Sequence, residues 1–168
     1  ATLQAAVNEI GDGRGTVRIA SGSYRQCAVQ AAGEVAYVAA EAGGAIFEST
    51  LCEGKAGLVL RGAMARFDGV IFQNYRAIAG GGAASALALE GGALHIVNSL
   101  FRTSDRALVT ADLPAVSVSI RQASFQNLGR CAGDYGPCDA GVTTGRLQKL
   151  RLNRNEFNGA GLATQAEQ

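Results

Sequence analysis

The strongest constraint on this chain is a pattern that recurs around phenylalanine. The stretch ARFDGVIFQN, Ala65 to Asn74, sets two alternating apolar residues, a turn-like centre and then Phe72. Aligned on the Phe, it returns as LHIVNSLFRT (Leu94 to Thr103), VSIRQASFQN (Val118 to Asn127) and LRLNRNEFNG (Leu150 to Gly159). A weaker copy, AEAGGAIFES, runs from Ala40 to Ser49. The aligned Phe residues are 47, 72, 101, 125 and 157, so the intervals are 25, 29, 24 and 32 residues. Near-constant spacing of this kind marks a stacked repeat architecture. The longer intervals hold the loops AIAGGGAAS (Ala77 to Ser85) and GRCAGDYGPCDA (Gly129 to Ala140), as insertions on one side of a stack would.

Columns within the repeat give its conformation. Seven residues before the Phe stand Ala40, Ala65, Leu94, Val118 and Leu150; five before it stand Ala42, Phe67, Ile96, Ile120 and Leu152. A spacing of two turns both columns inward, while the residues between and beside them face outward. Another strand is visible upstream in GLVLRG, SALALEG, RALVTA and AGVTTGR, each closing near Gly or a polar turn. Two or three short strands per repeat, without hairpin turns between them, predict a coil of parallel strands. The regular short period and asparagine ladder of a leucine-rich repeat are missing. The 23 glycines suit the corners of such a coil, and with no Trp its core falls largely to Ala, Val, Leu and Ile.

Ahead of the repeats, Leu3, Ala6, Val7 and Ile10 fall at helical spacing, with Thr2 placed as N-cap and Gly11 as the stop. In the following DGRGTVRIASGSY, Val17 and Ile19 alternate as a first strand. A helix here caps the open end of a repeat array. The expectation is a single domain over 1–168, with the cap over 1–15, coils over 16–161 and a C-terminal tail over 162–168. No closing helix is evident, so the expectation for the last rung is that it is bare, covered by a further segment, or paired with another copy of the chain as a route to a homo-oligomer.

Fifteen basic and fourteen acidic side chains leave a formal net charge of +1. That balance gives no global field toward nucleic acid or an anionic membrane. No run of about 18 apolar residues exists, so no membrane span is expected. Cys27 and Cys52 lie one repeat apart, which in a coil places them on adjacent rungs within disulfide reach. They are either a bridge or two core thiols. Cys131 and Cys138 bracket AGDYGP in the longest loop and favour a local bridge. Both bridges together would indicate a periplasmic or secreted protein.

The pattern resembles the right-handed parallel β-helix proteins of the pectate-lyase-like superfamily. The capping helix, the coil repeats and the Phe followed by a polar residue and often Asn carry that resemblance over nearly the whole chain. YRQCA (Tyr24 to Ala28) and CEGKAGLVLRG (Cys52 to Gly62) are similar to a bacterial subgroup of such proteins with no settled activity. The resemblance implies an all-β, single-stranded right-handed parallel β-helix, a solenoid of about five to six rungs, with a short N-terminal capping α-helix.

For chemistry, the outward column Arg66, His95, Ser119 and Arg151, with Asp68 and Arg121 two residues further along, forms a partly basic stripe. Arginine recognises carboxylates bidentately, so an acidic polysaccharide is the natural partner for a ligand-binding set of Arg66, Asp68, His95, Arg121 and Arg151. The alternative is that this face is simply solvated. His95, the only histidine, is the obvious proton-transfer candidate, with plain surface filler as the alternative. Arg61 and Glu90 precede Gly62 and Gly91 in equivalent turns, placed to pair across neighbouring rungs, and Asp134 and Tyr135 are placed to overhang a groove. Enzymes of the superfamily use clustered acidic calcium ligands, paired aspartates with Gly-His-Gly, or an Asp-Pro-His motif, and this chain has none of these. No cofactor or metal is implied. The expectation is noncatalytic binding, with a polysaccharide lyase and a structural or oligomerising module as the alternatives.

Overall fold

Thr2 and Gly11 bracket the one helix found among the described residues, α1 (Leu3–Ile10). The computed structural model describes residues 1–77, 82–129 and 140–164. Thr2 Oγ1 accepts from Ala5 N at 3.1 Å, and Gly11, at φ 60°, donates to Val7 O. Leu3 and Val7 are buried against the first strands, as an amphipathic cap requires.

The chain then alternates among three sheets. It runs through β1 (Arg14–Ile19), β2 (Gly22–Tyr24), β3 (Ala28–Gln30), β4 (Glu34–Ala39), β5 (Ala45–Glu48) and β6 (Ala56–Leu60). Next come β7 (Met64–Asp68), β8 (Val70–Gln73), β9 (Ser85–Leu89), β10 (Ala93–Val97), β11 (Leu100–Ser104) and β12 (Arg106–Thr110). The last are β13 (Leu113–Arg121), β14 (Ser124–Leu128), β15 (Val142–Thr144), β16 (Leu147–Asn153), β17 (Glu156–Asn158) and β18 (Leu162–Thr164). Every third strand pairs, giving three six-stranded sheets: β1-β4-β7-β10-β13-β16, β2-β5-β8-β11-β14-β17 and β3-β6-β9-β12-β15-β18. All the strand pairings within these sheets are parallel, for example β7 to β10 and β11 to β14. This is a parallel β-solenoid. The four upstream motifs lie in the third sheet, as β6, β9, β12 and β15.

The Phe column is the spine of the second sheet. Tyr24, Phe47, Phe72, Phe101, Phe125 and Phe157 stack with successive ring centroids 4.7 to 5.8 Å apart. Exact register across parallel strands makes identical rings neighbours, which adds offset stacking to ordinary burial. The third sheet supplies Ala28, Leu58, Leu87, Leu108 and Val142, paired in register and fully buried.

Two residues beyond each Phe the chain turns from the second sheet to the third through a left-handed residue: Ser49, Asn74, Thr103, Asn127 and Gly159. Asn and Gly visit that region readily, which is why Asn so often follows the Phe at this spacing. At the corner from the third sheet to the first, Gly92 has φ 69°, and a Cβ there would lie 1.9 Å from Gly62 O. Only glycine lets these stacked corners touch.

The first repeat departs from the expected alignment. Val35 and Tyr37, not Ala40 and Ala42, pair with Ala65 and Phe67. Tyr37 stacks on Phe67 at 4.7 Å. Tyr37 lies ten residues before Phe47, whereas Phe67 lies five before Phe72, so aligning on Phe slides this repeat by the length of its longer corner. Glu41 accordingly sits in that corner, where it accepts from Ser21 Oγ at 3.2 Å. Arg14 and Gly15, assigned to the cap, begin β1, and Leu162–Thr164, assigned to the tail, form β18.

Cys27 and Cys52 form a disulfide with Cα atoms 5.4 Å apart. Cys131, Cys138, Asp134 and Tyr135 lie outside the described residues. At the two ends the solenoid differs. The Gln4 side chain donates to Val29 O and accepts from Val29 N, occupying the edge of β3. At the other end the inward-column residues Leu152, Phe157 and Leu162 are 39%, 37% and 42% exposed.

Candidate functional site: a cationic corner

The outer face of the first sheet carries the expected column in register. Arg66 pairs with His95, His95 with Ser119 and Ser119 with Arg151. The neighbouring column aligns Asp68, Val97, Arg121 and Asn153. The six charged or polar residues are thus brought onto one face, but they are not electrostatically equivalent. Arg66 Nη2 lies 3.2 Å from Asp68 Oδ2, two residues along the same strand, so each cancels the other's charge toward an outside ligand. His95 and Ser119 are half-buried between their neighbours, while Arg121 and Arg151 are exposed.

Ion pairing elsewhere sharpens the contrast. Arg14, Arg25, Lys55, Arg61, Arg76 and Arg146 each meet a carboxylate. Arg61 does reach across to Glu90, with Nε 3.0 Å from Oε2, and Glu53 and Lys55 complete a four-membered network. Hydrogen bonds from Arg61 hold the Glu53 carboxyl below its ordinary range. On the second sheet, Gln73 and then Arg25 do the same for Glu48, and Arg102 donates to Gln73 Oε1. These contacts are ladders that tie successive strands; the first balances its charges, while Arg102, which meets Gln73 and no carboxylate, leaves the second with one excess positive charge, and each exposed pair is worth little alone.

Arg121, Lys149, Arg151 and Arg154 form no ion pair with any described residue, and all four are exposed. They gather on β13, β16 and the corner that follows β16. Arg18, at the opposite end of the sheet, and Arg102, half-buried on the second sheet and bonded to Gln73, are also without one. Lys149 and Arg151 share a face because they are two residues apart on a strand. Arg154 is set at φ 54°, and its corner is fixed by Asn155, whose side chain accepts from Ala123 N and donates to Ile120 O. The period of two places Lys149 beside Arg151 in the sequence, though without showing that both lack partners. Nothing in the sequence marks Arg154, because its position depends on the corner.

Beside this cluster an open groove of about 470 Å³ follows the corner between the first and second sheets. Its floor is the run of left-handed residues Gly43, Gly69, Asn98, Gln122 and Arg154. One wall is the outward column Ile71, Leu100, Ser124 and Glu156, paired in register along the second sheet. The groove therefore crosses the strands and ends at the cations.

Chemically, the cluster can hold carboxylate or sulfate groups spaced along an extended ligand. Among the described residues no three His, Cys, Asp or Glu side chains converge as metal ligands, and no helix is long and apolar enough to cross a membrane. Compared with protein-family models, curated proteins and solved structures, the chain matches none.

Proposed function

We propose that this is a noncatalytic binding protein for an extended acidic polysaccharide, held on the cationic corner by Arg121, Lys149, Arg151 and Arg154. The observation that carries this reading is where the unpaired cations gather: Arg14, Arg25, Lys55, Arg61, Arg66, Arg76 and Arg146 each meet a carboxylate, whereas Arg121, Lys149, Arg151 and Arg154 form no ion pair with any described residue and lie together on β13, β16 and the corner after it. Unpaired cations cost repulsion, which an anionic ligand relieves. A polyuronate suits the site better than nucleic acid. The outer face of the first sheet carries no Phe, Tyr or Trp on which bases could stack, and the net charge is only +1.

The same proposal takes the coil to be right-handed, the hand that parallel strand crossovers almost always adopt. It takes the coil to have six rungs, one for each strand of a sheet. It takes the fold to be that of the pectate-lyase-like β-helices, and the Cys27–Cys52 bridge supports a periplasmic or secreted setting.

The test is a binding panel of acidic and neutral glycans on the oxidised protein, with the same wells read for the ultraviolet absorbance of unsaturated sugars. Binding to polyuronates without product is expected, and Arg121→Ala with Arg151→Ala should weaken it by at least about tenfold. Product formation would make the protein a lyase; absence of any acidic-glycan binding would remove the reading.

A further inference from the structure

The N-terminal end of the solenoid is covered unevenly. The capping helix α1 packs on β3 and β1. Three contacts fix it there: Leu3 N donates to Gln26 Oε1 at 2.8 Å, the Gln4 side chain bonds both backbone groups of Val29, and Ile10 lies so close to Gly15 that a Cβ there would be 2.7 Å from Ile10 Cγ1. Over the second sheet the cover is thinner, because the first strand, β2, has only three residues and two of them, Gly22 and Ser23, are exposed. A cavity of about 240 Å³ remains between helix and coil. Its apolar lining is Leu3 and Ala6 of α1, Val17 and Ile19 of β1, and Tyr24 and Phe47.

Tyr24 and Phe47 begin the aromatic column. From Phe72 onward, successive rings lie within 12° of parallel, whereas Tyr24 is tilted by 32° on Phe47. Tyr24 Oη donates to Ala20 O at 2.8 Å, which anchors the ring at its phenol end. The column thus ends at a cavity. Two polar side chains that line it have donors to spare. The Gln26 carbonyl oxygen is taken by Leu3 N, and its NH2 makes no hydrogen bond with any described residue. Arg18 is exposed, pairs in register with Val38, and meets no described carboxylate. No Asp or Glu lines the cavity.

We propose that this cavity is a binding site for a small aromatic monocarboxylate, with its ring against Tyr24 and Phe47 and its carboxylate accepting from the Arg18 guanidinium and the Gln26 amide. Aromatic walls select a ring, and a cation beside an unused amide donor selects an anionic acceptor. The volume falls below the roughly 300 Å³ at which drug-sized ligands fit, so it suits one ring with a short side chain. Helix and coil are already tied together, so binding has little to order. The site is at the opposite end of the solenoid from the cationic corner and stands whether or not a polysaccharide binds there.

The test titrates phenylpropionate, phenylpropionamide and hexanoate into the full chain and follows backbone amide shifts in nitrogen–proton correlation spectra. Phenylpropionate should bind with a Kd below about 1 mM and shift the amides of Leu3, Ile19 and Tyr24. The amide, which keeps the ring and loses the charge, should bind about tenfold more weakly. Hexanoate, which keeps the charge and loses the ring, should bind roughly fivefold more weakly. Arg18→Gln should bring the acid down to the affinity of the amide. Ala6→Leu places a larger good helix former in the cavity and should abolish binding while Tm is held or raised.

Equal affinity of the wild-type protein for acid and amide would overturn the assignment, because Arg18 would then read no charge. Acid binding that survives Ala6→Leu, or that shifts only amides at the cationic corner, would overturn it by seating the acid elsewhere. Shifts of the same amides with protein concentration alone would give the cavity to a second copy of the chain, and no response to the acid would leave it without a ligand of this class; either result removes the proposal.

Discussion

Thr103 is a β-branched residue held at φ 51°, in a corner where Asn74 and Asn127 occupy the equivalent positions on neighbouring strands. An L-residue pays about 1–2 kcal/mol to enter the left-handed region, and β-branching worsens the crowding, whereas Asn is tolerated there. The Thr103 side chain is exposed and makes no hydrogen bond with the described residues, so nothing visible repays that cost. Thr103→Asn should therefore stabilise the protein by about 0.5–1 kcal/mol, raising Tm by roughly 1–4 °C for a chain of this size. Calorimetric melting of the two proteins checks it; an unchanged or lowered Tm would mean that Thr103 is held by a contact its corner does not reveal. The same position shows what the sequence can convey. Phe followed by a polar residue and Asn is visible as a phrase, and its cause is the left-handed turn that the Asn allows.

At the level of elements, legibility depended on corner length. The third-sheet strands β6, β9, β12 and β15 and the capping helix were readable because each is a short apolar run with its own boundary signals. The strand β4 was not placed, because alignment on Phe47 assumes a corner five residues shorter than the one present, and EVAYVA lost its register with Ala65 and Phe67. The Cys27–Cys52 pair needed tertiary information as well: one repeat of separation brings two cysteines close, but the direction of their side chains is set by the segments before β3 and β6. Once formed, the bridge ties those two segments across neighbouring circuits of the chain. Closing a loop of about this length removes roughly 3 kcal/mol of unfolded-state freedom. Cys27→Ala with Cys52→Ala should lower unfolding stability by about that amount, measured by denaturant titration, with the m-value raised because the unfolded chain is no longer cross-linked. Equal midpoints for the double variant and the parent would show that the bridge contributes nothing to the folded coil.

For the whole molecule, rigid stacking converts a local sequence accident into an extended surface. Parallel strands in register carry Arg121, Lys149 and Arg151 at fixed spacings, and the inward residues of the same strands, Val118, Ile120 and Leu150, hold those spacings by packing on the core whether or not a ligand is present. The column itself could be read from the sequence, but its electrostatic character could not: Arg66 is cancelled by Asp68, while Lys149 and Arg154 add charge where the column ends. A preformed cluster of this kind should bind through displaced counterions, so log affinity should fall linearly with log salt, with a slope proportional to the number of cations in contact. Arg121→Ala with Arg151→Ala leaves Lys149 and Arg154, two of the four, and should reduce that slope to about half its wild-type value. Measuring polyuronate affinity over a salt series for both proteins distinguishes this from a change in fold, which would weaken binding at every salt concentration without a graded loss of slope. Identical slopes would show that the two arginines do not touch the polymer, and the binding face would have to be sought elsewhere on the coil.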